Sequence, residues 1–474
     1  MGKDYSFSMD DIPTKADFIY KDQIDELTLM CTPLAMNGIH LLSVKSLSVL
    51  NQCSGVFSIG EIIQLTGCEK TYVFGVINIL WQNRLIRING EFPPNDNRIS
   101  LSKQIDVWFH ITNNCNLRCP YCYIQKTNES MNKRMAYLAV DNLINSALSH
   151  YIPEVRLKFT GGEPLLRFSL IKGLVNYSKR QGEERGVKFS FHILTNGTLL
   201  SEKIVRYLKE ENITLSLSLD GVEEENNRLR YYANSKGTFR RIEQSMKLLK
   251  DYGIRPYILT TVTALNLDGL PAFTRYVIKN KFSVRFSLYR ELGVSKEALK
   301  NYTDEVIKIL HKCYDIYEEN LPEEDFSSVH QLCDIKLKKS RKRVCGIGTK
   351  GVSIGHRGEI ALCQALFNKP IGHISKDDAL AAVRNQNQFP SHKYSINNYE
   401  HCKDCNWRYL CGGGCPVLTK LQYGRFDTFS PYCEVFRTLI PRLIRIMGLQ
   451  ILRAHRKTMT EIEKQKGGDL DANQ

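Results

Sequence analysis

Along this chain the apolar positions keep one rhythm to about residue 90, a second to about residue 329, and little regularity after that. In the first stretch, short β-like runs at 26–31 and 39–43 precede helical spacing over 44–52, which ends near Gly55. Apolar residues at i, i+3 and i+4 predict two further helices at 59–65 and 71–82, with a turn at Gly67. The run RLIRING (84–90) has the form of a strand and a turn. Strands, three helices and a closing wing predict a small winged-helix-like domain over 1–90. Pro93, Pro94, Asn95, Asp96 and Asn97 then predict a linker over 91–106.

From Val107 the pattern alternates. Strand-like runs at 107–111, 155–159, 189–194, 213–219, 256–263 and 284–289 are separated by amphipathic helices such as 201–211 and 239–252. Repeated β–α units predict an α/β fold whose parallel sheet of about six strands curls as a partial barrel, residues 107–329. The polar motifs follow the C-terminal ends of these strands, the edge on which such folds carry their chemistry. Residues 330–445 are rich in cysteine and poor in strand signal, so their folding is expected to depend on metal. An amphipathic basic helix is expected from about 436 to 458, placed to pack on that region, cover the site or meet a partner. Residues 446–474 complete a basic helix and tail.

Composition narrows the setting. A chain of 474 residues is long enough for two or three domains with a sizeable core. It contains no apolar run long enough for a bilayer, and the opening MGKDYSFSMDDIPTKADF has none of the apolar core of a signal peptide. A cytoplasmic protein with reduced thiols is expected, in which spaced cysteines read as metal ligands or catalytic groups rather than disulfides. The net charge of +15 is concentrated in Lys336, Lys338, Lys339, Arg341, Lys342 and Arg343 and in a second basic stretch over 437–466. A solvated face, attraction to an acidic partner, and stabilisation of a nearby thiolate-bound cluster are all compatible with these runs.

The cysteines carry the chemistry. Cys115, Cys119 and Cys122 lie in CNLRCPYC, a C-x3-C-x2-C spacing that offers three thiolates to an iron–sulfur cluster and leaves one iron open for a small molecule. A second group comprises Cys345, Cys363, Cys402, Cys405, Cys411, Cys415 and Cys433. Its middle four form C-x2-C-x5-C-x3-C, for which a zinc ribbon is the competing reading, although that leaves Cys345, Cys363 and Cys433 unexplained. Cys31, Cys53, Cys68 and Cys313 read as ordinary buried cysteines.

The first trio, with Tyr121 before its last cysteine and GGEP (Gly161, Gly162, Glu163, Pro164) after the next strand, resembles the radical S-adenosylmethionine (radical SAM) superfamily. The resemblance implies S-adenosyl-L-methionine on the open iron, cleaved by an electron from the cluster to a 5′-deoxyadenosyl radical. It implies that GGEP receives the methionine amino group, through backbone carbonyls and Glu163. Ser218 in SLDG and Arg230 in a polar loop would hold the ribose and the methionine carboxylate, the latter suited to a guanidinium fork. The later cysteines look like the signature of a SPASM domain with two auxiliary clusters, which makes three 4Fe-4S clusters. By that pattern Cys402, Cys405, Cys411 and Cys433 hold one cluster, and Cys345, Cys363 and Cys415 the other. Its fourth ligand is then either Cys333 or an open position, since Ser340 stands where some relatives have a cysteine. The stretch LLSVKSLSVLNQCSG through FGVINILWQNRLIRI resembles the PqqD-like recognition element, which takes a precursor peptide's leader as an added strand.

Together these resemblances imply a maturase of a ribosomally made peptide, joining a carbon of one residue to another side chain, commonly a cysteine sulfur. A flavodoxin or ferredoxin would be the reductant, with no DNA and no membrane as partners. An anaerobic sulfatase-maturing enzyme is the alternative. The proposed base of such enzymes is an aspartate after the cysteine matching Cys363, where this chain has Gln364. A DNA-binding redox sensor is disfavoured because helix 71–82 contains no Arg or Lys.

Overall fold

A computed structural model describes residues 7–34, 38–94, 103–292, 297–300, 302–321, 331–337, 341, 345–385 and 395–468, without side chains for 331 and beyond 458. Asn95, Asp96, Asn97, Lys338, Lys339, Ser340, Lys342 and Arg343 lie outside the described residues.

The N-terminal segment contains strands β1 (Pro13–Lys15), β2 (Tyr20–Ile24), β3 (Leu27–Cys31) and β4 (Ile39–Leu42), helices α1 (Val44–Gln52), α2 (Ile59–Thr66) and α3 (Lys70–Gln82), and strand β5 (Ile86–Ile88). Helix α2 starts in a reciprocal cap between Ser58 and Glu61 and stops at the left-handed Gly67, as the turn signal requires. Strands β2, β3 and β4 form an antiparallel sheet, and β1 pairs with β5. Strand β3 is buried on both faces. Met30 joins Leu42, Val49, Leu50, Ile77 and Leu80 in a small core of its own. Leu29 and Cys31 join the main core.

The central sheet has the order β12-β11-β10-β9-β8-β7-β6-β13-β14-β15. Its parallel body is β6 (Gln104–Thr112), β7 (Glu154–Gly161), β8 (Lys188–Thr195), β9 (Thr214–Ser218), β10 (Tyr257–Val262) and β11 (Ser283–Leu288). Between and after them run α4 (Lys133–Ser149), α5 (Phe168–Arg185), α6 (Glu202–Glu210), α7 (Glu223–Leu229), α8 (Phe239–Asp251), α9 (Leu270–Lys279) and α10 (Thr303–Glu319). On β6, Ile105, Val107, Phe109 and Ile111 are buried in the main core while Asp106 and Trp108 point the other way, the period of two expected of a strand. One cavity is lined by residues from all of β6 to β11, so the sheet curls around it as a partial barrel.

Three differences from the expected organisation stand out. The sheet is wider than six strands, because β12 (Gln331–Leu332) adds to β11 and β13 (Gly351–Ile354) pairs in parallel with β6. Strands β14 (Glu359–Ala361) and β15 (Gly372–His373) continue it antiparallel, so the cysteine-rich region is partly built on the barrel's edge. Strand β6 begins at Gln104, inside the expected linker. After α11 (Ala379–Arg384), α12 (Arg408–Cys411) and α13 (Pro416–Tyr423), helix α14 runs from Cys433 to Gly468. The expected boundary at 445/446 falls within it, because buried Leu443, Ile444 and Ile446 continue one packed face. Helix α14 ties the molecule together. Arg445 reaches Glu318 of α10 at 2.8 Å and Asp22 of β2 at 3.2 Å, and Arg456 pairs with Asp25 at 2.9 Å. Among the described residues no helix is long and apolar enough to cross a membrane.

Candidate functional site

Cys115, Cys119 and Cys122 lie in the loop after β6, and Gly161 to Pro164 in the loop after β7. Two backbone bonds hold these loops together: Gly162 N–H donates to Thr112 O at 2.7 Å and Glu163 N–H to Asn114 O at 2.8 Å. Both glycines are needed for that approach. A side chain at Gly161, whose φ is +133°, would meet Thr112 O at 2.3 Å, and one at Gly162 would meet Asn114 O at 2.2 Å. The cysteine loop is also tied to residues 231–233, with Arg118 N–H on Tyr231 O at 2.8 Å.

Glu163 is fully buried, and its carboxylate accepts from Thr195 Oγ1 at 2.7 Å, Asn196 N at 2.8 Å and Leu165 N at 3.0 Å. Burial nevertheless raises its pKa. Three of its roughly four acceptor positions are thus occupied by the chain, leaving about one open. Asn196, which follows β8, extends its amide to Asn116 Oδ1 at 2.9 Å and towards Cys115 Sγ at 3.9 Å.

Arg230 is not an open clamp in a polar loop. It is buried at the end of α7, with Nε 2.7 Å from Asp220 Oδ2 and its guanidinium 5.5 Å from the Tyr121 ring centre. The Tyr121 hydroxyl donates to the same carboxylate. The contact closes a Tyr121–Asp220–Arg230 triad between the cysteine loop and the loop after β9. Burial works against the Arg230 cation, and Asp220 more than compensates, raising its pKa. Ser218 is the last residue of β9, half-buried, two positions before Asp220.

The thiols of the first loop influence one another electrostatically, although among the described residues no three His, Cys, Asp or Glu side chains are grouped to hold a single metal ion. Burial pushes Cys119 up to about 12 and raises Cys115. A buried thiolate needs a positive partner, which iron supplies. Leu117 N–H donates to Cys115 Sγ at 3.4 Å, and Lys126 Nζ lies 2.8 Å from Cys122 Sγ.

The remaining cysteines divide into two sets. Cys402, Cys405, Cys411 and Cys433 line one small cavity of about 40 Å³. Cys415 is absent from its lining, so the four close cysteines do not converge as a zinc ribbon would require. Cys415 belongs instead with Cys345 and Cys363, whose thiols influence one another electrostatically around Arg290 and Asp334. Among the described residues Cys333 is connected to this set only through Arg290, whose Nη2 donates to its sulfur at 3.2 Å and to Asp334 Oδ2 at 2.8 Å. Burial pushes Cys402 to about 12 and Cys411 and Cys415 to about 11. Cys115 and Cys402 are buried, Cys345 is exposed and the other cysteines of these sets are half-buried; soft thiols grouped in this way have the chemistry that iron–sulfur clusters use. Cys31, Cys53, Cys68 and Cys313 are buried outside these groups.

The sequence reading missed Thr195, Asn196 and Asp220 as site residues. Their only signal was position, in TNG and SLDG directly after parallel strands. It also missed Lys126, Arg290 and Asp334, which no local motif marks.

Residues 109–274 match the model of the radical SAM superfamily. Among curated proteins, an uncharacterized protein of Methanocaldococcus jannaschii, MJ0907, is 37% identical over 215 residues, 44% of this chain and 72% of its own. The cysteine-type anaerobic sulfatase-maturating enzyme of Clostridium novyi is 26% identical over 356 residues, 70% of this chain and 93% of its own. Among solved structures, native anSMEcpe with bound AdoMet and a peptide superposes with TM-score 0.61 at 22% identity, covering 73% of this chain and 99% of that one. Streptococcus suis SuiB bound to precursor peptide SuiA superposes with TM-score 0.52 at 16% identity, covering 89% of this chain and 100% of that one. These superpositions establish a shared fold.

Proposed function

The chain belongs to the radical SAM superfamily, and within it we propose that it is a maturase of a ribosomally synthesised precursor peptide. The observation that carries this reading is the N-terminal segment. It has its own core and a three-stranded antiparallel sheet with edge strands β2 and β4, a form that can take a leader peptide as an added strand. The segment also packs against the cysteine-rich loops, where Phe18 and Tyr20 meet Trp407 edge-on at 5.7 and 5.6 Å. The fold likeness to SuiB, whose solved complex contains a precursor peptide, extends over most of the chain and supports the same reading.

S-adenosyl-L-methionine, bound beside a 4Fe-4S cluster on Cys115, Cys119 and Cys122, would supply a 5′-deoxyadenosyl radical able to remove a hydrogen from a peptide residue. The chain's residues position that chemistry. Gly161 and Gly162 let the loop after β7 lie against the cysteine loop, so backbone carbonyls and the remaining acceptor of Glu163 can face an ammonium group. Tyr121, Asp220 and Arg230 brace the opposite side, and Ser218 stands at the strand end where a ribose hydroxyl could be met. The two further cysteine sets, with Cys333 completing one of them, would accept the second electron when a thioether or other crosslink closes. A flavodoxin or ferredoxin would provide the first electron.

Anaerobic coexpression with candidate short cysteine-containing precursor peptides, followed by mass spectrometry, tests the proposal. The expected result is loss of two hydrogens per modified site, abolished by Cys119→Ala and by deletion of residues 1–90. An unmodified peptide, with an enzyme that still cleaves the cofactor, would overturn it.

The similarity to the C. novyi enzyme favours a second reading, the maturation of a sulfatase by oxidation of a cysteine. Gln364, which follows Cys363 and opens a short helical turn, argues against it because an amide is a poor base. A sulfatase-derived peptide converted to an aldehyde, with no dependence on residues 1–90, would establish that alternative.

A further inference from the structure

The loop that carries Cys115, Cys119 and Cys122 leaves β6 and returns to it. Thr112 Oγ1 meets Ser130 Oγ at 2.7 Å, Asn113 N–H donates to Glu129 O at 2.9 Å, and Met131 N–H donates to Ile111 O at 2.8 Å. Lys126 stands on the return limb of this closed loop, four positions after its last cysteine. Its ammonium turns inward, with Nζ 2.8 Å from Cys122 Sγ. Lys126 neither ligates metal nor belongs to the proposed cofactor contacts.

Among the described residues its side chain bonds that sulfur and no carboxylate pairs with it. Glu129, three positions on, is taken by Arg357 and by His356, the latter at 3.3 Å. The other donors around the trio are neutral or already paired. Cys115 faces Leu117 N–H at 3.4 Å and the Asn196 amide at 3.9 Å, and Arg230 is held by Asp220 at 2.7 Å. The charge of Lys126 is also felt at Cys115, more strongly than the opposing charge of Glu163. The lysine is half-buried, so solvent screens it incompletely.

A thiolate-bound cluster gains one negative charge when a one-electron reductant reduces it. A cation hydrogen-bonded to a ligand sulfur favours that more negative state, because local charge and hydrogen bonds to sulfur set the potential of such clusters. We propose that Lys126 is a positioning residue that acts through Cys122, raising the reduction potential of a cluster on Cys115, Cys119 and Cys122 by a charge-assisted N–H···S bond. The lysine makes the electron that starts the radical chemistry easier to accept. This role requires only membership of the radical SAM superfamily, so a failed peptide assay leaves it standing.

The test uses the full chain with its clusters reconstituted, titrated anaerobically with dithionite and followed by electron paramagnetic resonance. The signal that changes on adding S-adenosylmethionine belongs to the first cluster. In Lys126→Met the ratio of reduced to oxidised first cluster at a fixed potential should fall at least about tenfold, a midpoint lower by about 59 mV for a one-electron couple. Lys126→Arg, which keeps the charge and the donors, should recover most of that shift. Lys126→Gln, which keeps a donor without the charge, should recover less. Signals of the other clusters should stay in place in all three variants, and iron content per chain reports assembly. An unshifted midpoint in Lys126→Met at full iron content overturns the proposal, as does an equal shift of every signal. Loss of iron from both Lys126→Met and Lys126→Gln would also overturn it, in favour of a role in holding the cluster.

Discussion

Glu163 accepts the backbone N–H of Asn196 at 2.8 Å, so the loop after β7 holds the loop after β8 in place. Its carboxylate also takes the Thr195 hydroxyl at 2.7 Å, all within the interior. Replacing it by glutamine keeps the shape but turns an NH2 group towards one of these donors. A buried donor left without an acceptor costs about 1–3 kcal/mol. Glu163→Gln is therefore expected to lower the midpoint of urea unfolding, and to weaken S-adenosylmethionine binding measured by equilibrium dialysis. Loss of affinity with unchanged stability would assign Glu163 to ligand contact alone.

Arg230 and Asp220 form a pair in which neither side chain has appreciable exposure, 9% and 0%. Removing one partner of such a pair leaves the other charged and dry, a destabilisation of about 3–5 kcal/mol. Arg230→Met should reach that range by chemical denaturation. Tyr121→Phe removes only one hydrogen bond to Asp220 and should cost about 1 kcal/mol. Equal effects from the two variants would mean that the ion pair contributes no more than the hydroxyl.

Arg290 Nη2 lies 3.2 Å from Cys333 Sγ, and Arg290 also acts on Cys363 and Cys415, so Cys333 is the proposed fourth ligand of their set. Cys333→Ala is expected to open one auxiliary cluster, seen as a lower iron content and a three-iron signal in electron paramagnetic resonance of the oxidised protein. Cys313→Ala, which alters a cysteine buried inside α10, should leave the spectrum unchanged. An unaltered spectrum in Cys333→Ala would assign the open position to substrate or solvent.

How far these features were legible in the sequence depends on the range over which each is specified. Strands β6 to β11 announce themselves through runs of Val, Ile, Leu and Phe, because each is buried against helices on one face. The division of the later cysteines followed from resemblance; in the structure Cys402, Cys405, Cys411 and Cys433 line one cavity. Strands β13, β14 and β15 were not legible. They are 4, 3 and 2 residues long and owe their pairing to the exposed edge of β6, a tertiary circumstance. Strand β2 was hidden by Lys21, Asp22 and Gln23. Asp220 and Asn196 looked like turn residues, since an Asp or Asn beside Gly is ordinary turn chemistry. Only the fold reveals that their side chains reach Arg230, Asn116 and the cysteine loop.

His110 provides a pH test. Burial lowers its pKa from 6.5 to about 4, although its Nε2 lies 2.6 Å from Asn113 Oδ1. Between these values the unfolded chain binds a proton that the native protein does not. Stability should therefore rise with pH from about 4 to 6.5 and level off above, by up to roughly 3 kcal/mol from this group. His110→Gln should flatten that part of the profile in denaturation measured across the window. A variant with the wild-type slope would place the titration elsewhere.

Trp407 stands between Cys405 and Cys411 and receives the Phe18 ring at 5.7 Å and the Tyr20 ring at 5.6 Å, both edge-on. Each such contact contributes about 0.5–1.5 kcal/mol. Trp407→Leu should loosen the N-terminal sheet from the cysteine-rich loops, with faster hydrogen exchange at residues 18–24 and no loss of iron. Arg445 and Asp22 still bridge α14 to the same sheet, so the segment should stay attached while its seating changes. In a leader-guided maturase that change should uncouple the reaction: cofactor cleavage continues while crosslinked peptide per cleavage event falls. Unchanged coupling despite faster exchange would mean that the seating of the segment does not guide the substrate. The role of residues 1–90 would then be limited to binding the leader.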